Sequence, residues 1–142
     1  MAVTAFVFNA AKKKLMEGAF NMTTDTMKVA LTTSSWVPNI DTMDFFDDVT
    51  NEVSSAGYTA GGATLGTKSI TVDTANDLAY FDAADTTWSG VTFTYRYLVL
   101  YKSTGTAGTS PLLGYIDFGV DRSNSADTAY IQWATTGIFK IS

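Results

Sequence analysis

Between Val91 and Lys102 the chain alternates with a period of two. Val91, Phe93, Tyr95, Tyr97, Val99 and Tyr101 fall on one side, and Leu98 and Leu100 make the other side apolar over the second half. Successive side chains of a strand point to opposite faces, so this pattern belongs to a strand and not to a helix. Apolar residues on both faces need cover on both faces, which predicts a central strand. The rest of the chain has to supply its neighbours.

Other segments carry the same period. Met27-Lys28-Val29-Ala30-Leu31-Thr32 sets Met27, Val29 and Leu31 against Lys28 and Thr32, a half-buried strand. Leu65–Asp73 alternates through Ile70 and Val72, Leu78–Asp82 is short, and Gly105 and Gly108 turn the chain into Leu112–Phe118. Ala129–Ala134 follows, with Ile131 and Trp133 on one face, and Gly137–Ile141 ends the sheet. One helix is predicted over about 9–20: Asn9 as N-cap, Leu15, Met16, Ala19 and Phe20 on one face, and Gly18 or Asn21 as the stop. Six or seven strands, short turns and no βαβ alternation predict a mainly β fold, an antiparallel β-sandwich or barrel with one short N-terminal helix. At 142 residues this is a single β-rich domain, 1–142, with no internal repeat.

The period dissolves over about 34–63. That excursion holds Trp36-Val37-Pro38-Asn39, a short helix predicted at Asp44–Val49 with Thr42 as cap, and the turn-rich Gly57-Tyr58-Thr59-Ala60-Gly61-Gly62. Loops this long are usually functional or disordered. Trp36, Phe45, Phe46 and Tyr58 argue for order, because aromatic rings gain much from burial. The segment is expected to fold over its own domain or onto a neighbour.

Composition narrows the chemistry. The chain has no Cys and no His, which removes disulfides, thiolate nucleophiles, the Ser-His-Asp triad and the usual zinc and haem ligands. The expectation is a protein that is not an enzyme and carries no cofactor. Net charge is −5, the wrong sign for neutralising phosphates, so no nucleic-acid partner is expected. Charged residues make up only 16%, and aromatics 13%, which fits a subunit that packs against others. The start has no basic region ahead of its apolar run, and no run of about 18 apolar residues exists, so neither a secretory signal nor a membrane partner is expected. Without a secretory route the sequon Asn21-Met22-Thr23 carries little.

Four motifs stand out. Gly61-Gly62-Ala63-Thr64-Leu65-Gly66-Thr67-Lys68-Ser69 superficially looks like a phosphate loop, but Thr67 separates the last glycine from the lysine and a strand follows, so turn glycines are the better reading. Twelve of the fourteen acids are Asp. They gather at Asp44–Asp48, Asp73–Asp77 and Asp82–Asp85, which suits turn chemistry better than calcium or a hydrolytic carboxylate pair. Lys12-Lys13-Lys14 concentrates positive charge in one helical turn; without it the −5 becomes −8. The choice there is between a solvated face and docking on an acidic neighbour. Arg96, between Tyr95 and Tyr97, is either a strand-face residue or an interface anchor.

Taken in order, Thr24–Leu31, Pro38–Thr42, Leu98–Gly105, Ser110–Asp117, Trp133 and Gly137–Ile141 give the chain a resemblance to a family of small virion proteins of tailed bacteriophages, capsid decoration or head proteins. The resemblance covers nearly the whole chain and rests on strands and turns. It implies a β-rich accessory subunit on the capsid exterior, made in the bacterial cytoplasm, whose partner is the major capsid protein lattice. No catalytic residue comes with it. Self-association as a homo-oligomer, a trimer under lattice symmetry, is an expectation that no residue pattern carries. The helix lysines and the aromatics of the excursion are not part of the resemblance; from their charge, and from aromatics taken as exposed anchors, the contact residues expected are Lys12, Lys13, Lys14, Trp36, Phe45, Phe46, Tyr58 and Arg96. Competing readings are a tail or head-fibre receptor or glycan-binding module that stacks sugars on Trp36, Tyr58 and Trp88, a tail-tube or head-completion subunit, and a hydrolase using Asp82 or Asp85.

Overall fold

A computed structural model describes residues 2–142. The elements run β1 (Thr4–Val7), α1 (Asn9–Met16), β2 (Met27–Thr32), β3 (Ala63–Thr64), β4 (Ser69–Asp73), β5 (Leu78–Asp82), β6 (Thr86–Lys102), β7 (Leu112–Ile131) and β8 (Phe139–Ile141). They form two antiparallel sheets, a five-stranded one ordered β1-β7-β6-β2-β3 and a three-stranded one ordered β4-β5-β8. The fold is mainly β, with one short helix, and of the two architectures expected it is the sandwich.

The strand predicted as central is central: β6 lies between β7 and β2, with Val99 opposite both Tyr115 and Ala30, and Leu100 opposite both Gly114 and Val29. On the inner face Leu98, Leu100 and Ile116 line, with Ile138 and Phe139, a cavity of about 230 Å³ between the two sheets. On the other face the excursion closes over Tyr97, Tyr101 and Tyr115. Trp36 meets Tyr97 and Tyr115 edge-on at 5.6 Å each, Phe46 stacks on Tyr101 at 4.0 Å, and Tyr58 packs against Trp88 and Phe93. The long segment therefore folds over its own domain, where the rings lose more water than they would in a solvated loop.

Two close approaches fix how tightly these layers sit. Gly62 has φ +81°, and a Cβ there would lie 1.9 Å from the Val29 carbonyl oxygen. At Gly114 an added Cβ would lie 2.5 Å from the Phe6 carbonyl oxygen, so glycine is what lets β1 join the edge of β7.

Several boundaries differ from the sequence reading, each for a local reason. The helix stops at Met16, not Phe20, because Gly18 takes φ +76°. Its N-cap is Phe8, in extended conformation, and Asn9 is the first helical residue; the Asn9 side chain instead donates to Asp41 Oδ1 at 2.6 Å. The strand expected to begin at Leu65 begins at Ser69, since Thr67 has φ +51°. Asp44–Val49 holds only a single 3₁₀ turn, Phe46–Asp48, with Phe45 rather than Thr42 at its cap position. The segments Leu112–Phe118 and Ala129–Ala134 belong to one strand as far as Ile131. Its middle is exposed and polar, so it reads as a loop.

Candidate functional site

The lysine turn is on the surface, and its side chains are engaged locally. Lys12 Nζ donates to Asn9 Oδ1 at 3.0 Å, Lys13 pairs with Glu17 one turn on, and Lys14 lies 4.3 Å from the centre of the Phe45 ring. The Lys13–Glu17 pair is well exposed, so solvent and salt screen it and either member is free to exchange partners. Lys12 and Lys13 share the outer face of α1 with exposed Met16, at spacings of four and three residues.

Trp36 and Tyr58 are corrections. The sequence reading expects both as exposed anchors, and they are 1% and 9% exposed. Trp36 Nε1–H donates to the Asp48 carbonyl at 3.4 Å. The Tyr58 hydroxyl accepts the Leu31 N–H at 3.0 Å and donates to Glu52 Oε1 at 2.8 Å. With Trp88 also buried, the three rings offered for sugar stacking present no platform to solvent. Phe45 and Phe46 are half-buried, the first beneath Lys14 and the second on Tyr101, so one face of each ring is already engaged within the chain.

Arg96 forks onto Asp117, Nε to Oδ1 at 3.0 Å and a terminal nitrogen to Oδ2 at 3.3 Å. The guanidinium holds the Asp117 carboxyl below its ordinary range, and the Gly119 N–H adds to the effect. This pair pins β6 to β7 beside the register shift between Tyr95 and Tyr97.

The carboxylates behave as turn and strand-end groups. Asp85 accepts the Tyr130 hydroxyl at 2.6 Å and the Trp133 N–H at 2.9 Å, and both bonds hold its carboxyl below the usual value. That is the wrong direction for a general acid. Asp73 accepts from the backbone of Ala75 and Asn76 and from Asn76 Nδ2, an Asx turn that also depresses its carboxyl. Among the described residues no group of three or more acids is placed to hold a metal ion. No helix among them is long and apolar enough to cross a membrane.

Two further surfaces emerge only from the structure. The first is the outer edge of β1, with Thr4, Ala5 and Phe6 exposed and, among the described residues, no strand pairing beyond it. Phe6 stacks on Tyr115 at 4.9 Å, its cross-strand partner in the pairing of β1 with β7. The second is the apolar face of β4, where Ile70 is 53% and Val72 71% exposed. Ile70, Phe81 and Phe139 form one cross-strand row and Val72, Ala79 and Ile141 the next. The end of α1 with Phe20 and Met22 leaves a groove of about 440 Å³ beside them. Alternation marks Ile70 and Val72 as a face, but which strands stand at an edge is a property of the sheet order. Compared with known proteins, the chain matches no family model, no curated protein and no solved structure.

Proposed function

We propose that this chain is a capsid decoration, or cement, protein of a tailed bacteriophage, binding the outside of an assembled head and holding neighbouring capsid subunits together. The observation that carries the reading is the β1 edge. Among the described residues no strand pairs with the outer side of Thr4–Val7, and a few residues later α1 presents Lys12 and Lys13 outward. An unpaired edge accepts an extended segment of a partner through main-chain hydrogen bonds, and the lysines add attraction to an acidic neighbour. The resemblance to phage head proteins supplies the partner, the capsid lattice.

The energetics are those of linkage. A subunit that binds the assembled lattice and not its separated parts stabilises each site by RT ln(1 + [L]/Kd), about 2.7 kcal/mol at a hundredfold excess over Kd. Repetition over the lattice multiplies the effect.

Co-sedimentation with undecorated heads tests the reading. Purified protein should pellet with heads at a saturating ratio that scales with the number of capsid subunits. The double variant Lys12→Glu, Lys13→Glu should weaken that binding about tenfold or more, because it turns two attractions to an acidic surface into repulsions, and added salt should narrow the gap. Saturation at a single ring's worth of copies would instead mark a completion or tail subunit, and no pelleting at all would end the cement reading.

A further inference from the structure

We propose that the chain pairs with a second copy of itself through β4, joining the two three-stranded sheets into one six-stranded antiparallel sheet across a two-fold axis at Thr71. This inference stands apart from lattice binding, which uses the β1 edge.

Natural proteins protect sheet edges with Lys, Pro, a bulge or very short strands. β4, Ser69-Ile70-Thr71-Val72-Asp73, has no Lys and no Pro, pairs with β5 in unbroken register, and has four of its five residues exposed. Lys68, the residue directly before the strand, is taken up by the Asp25 carbonyl, to which it donates.

The occupant follows from the strand's own sequence. An antiparallel mate centred on Thr71 sets Ile70 opposite Val72 of the other copy, Thr71 opposite Thr71, and Ser69 opposite Asp73. Apolar meets apolar, a Thr–Thr pair sits on the axis, and no like charges face each other, all of which favour cross-strand pairing. Lys68 falls opposite Thr74. Moving the axis to Ile70 sets Lys68 opposite Val72, and moving it to Val72 sets Ile70 opposite Thr74, so the Thr71 register alone keeps both apolar residues matched. It also extends the rows already present: Ile141, Ala79 and Val72 of one copy continue into Ile70, Phe81 and Phe139 of the other. Five paired residues bury less than the roughly 1,200–2,000 Å² of a tight complex, so the dimer is expected to be concentration-dependent.

Because the chain has no Cys, Thr71→Cys introduces its only thiol. Directly opposed cross-strand Cβ atoms lie ~4.5–5.5 Å apart, close to disulfide reach. With diamide as the two-electron oxidant and no heads present, Thr71→Cys should form a disulfide dimer at least about tenfold faster than Thr59→Cys, an exposed control in the excursion, reflecting the raised effective concentration at the axis. Sedimentation equilibrium of the unmodified chain should show a monomer–dimer equilibrium, and Thr71→Lys, which sets two ammonium groups on the axis, should shift it toward monomer by about tenfold or more. Equal oxidation rates, a monomer at every concentration, or a trimer would each overturn the proposal. All of these are read on free protein, so their failure leaves the cement reading standing, and failure to bind heads leaves this pairing standing.

Discussion

The Tyr58 hydroxyl accepts the Leu31 N–H at 3.0 Å, and through that bond the excursion is tied to the sheet it covers. The same hydroxyl donates to Glu52 Oε1 at 2.8 Å, and that Glu52 oxygen also accepts the Gly61 N–H at 2.6 Å, which braces Tyr58 from within the excursion. Tyr58→Phe keeps the ring on Trp88 and Phe93 but leaves a buried strand N–H without its acceptor. It should cost about 1–3 kcal/mol in chemical denaturation, most of it the desolvated N–H.

Trp36→Ala should destabilise the protein by about 3–5 kcal/mol, the range for emptying a buried indole site. The ring is core, on Tyr97 and Tyr115. The check is equilibrium unfolding of the free protein, where a residue reserved for a partner would show almost no change.

Thr32 is fully buried in β2, and its Oγ1 has no hydrogen-bond partner among the described residues. Thr32→Val exchanges that hydroxyl for a methyl of similar shape and should stabilise the fold by about 1 kcal/mol, seen as a higher denaturation midpoint with an unchanged slope.

These three sites show what the sequence makes legible. The alternation of Val91–Lys102 and Met27–Thr32 identifies strands, and the sheet order bears out the centrality of the first, because two-sided burial leaves a signal in residue type. Leu78–Asp82 has the same bounds in the structure as in the sequence pattern. Aromatic content shows that the excursion is ordered, but not that Trp36 and Tyr58 point inward, since a ring destined for a core and one destined for a partner are the same residue. β1 leaves only a short apolar run, and the exposed middle of β7, Val120–Thr128, reads as a loop because pairing on one edge needs no apolar side chain. The edge of β1, which carries the functional reading, and the edge of β4, which carries the self-pairing, are set by which strands lack a neighbour, and no local pattern encodes that.

Stability should fall at both ends of the pH scale, for opposite reasons. Burial, with the Glu52 carboxylate adding to it, raises the Tyr58 and Tyr101 hydroxyls above their ordinary value of 10.0. The folded state holds these protons more tightly than the unfolded chain, so their contribution is complete below pH 10 and is lost as the pH rises beyond it. Asp73, Asp85 and Asp117 are held below their ordinary 3.8 by hydrogen bonds from Asn76, Tyr130 and Arg96. Their contribution is present above that value and disappears as the pH falls through it. Circular dichroism across pH should show both limbs, with the acid limb shallower in Asp85→Asn and the alkaline limb displaced upward in Tyr101→Phe.

The most direct measurement of the cement role is the thermal rupture of undecorated phage heads titrated with the purified chain. Rupture temperature should rise with added protein and level off once the lattice is filled, and the Lys12→Glu, Lys13→Glu variant should need a higher concentration to reach the same plateau. Heads that rupture at the same temperature with and without a saturating amount of protein would contradict the account.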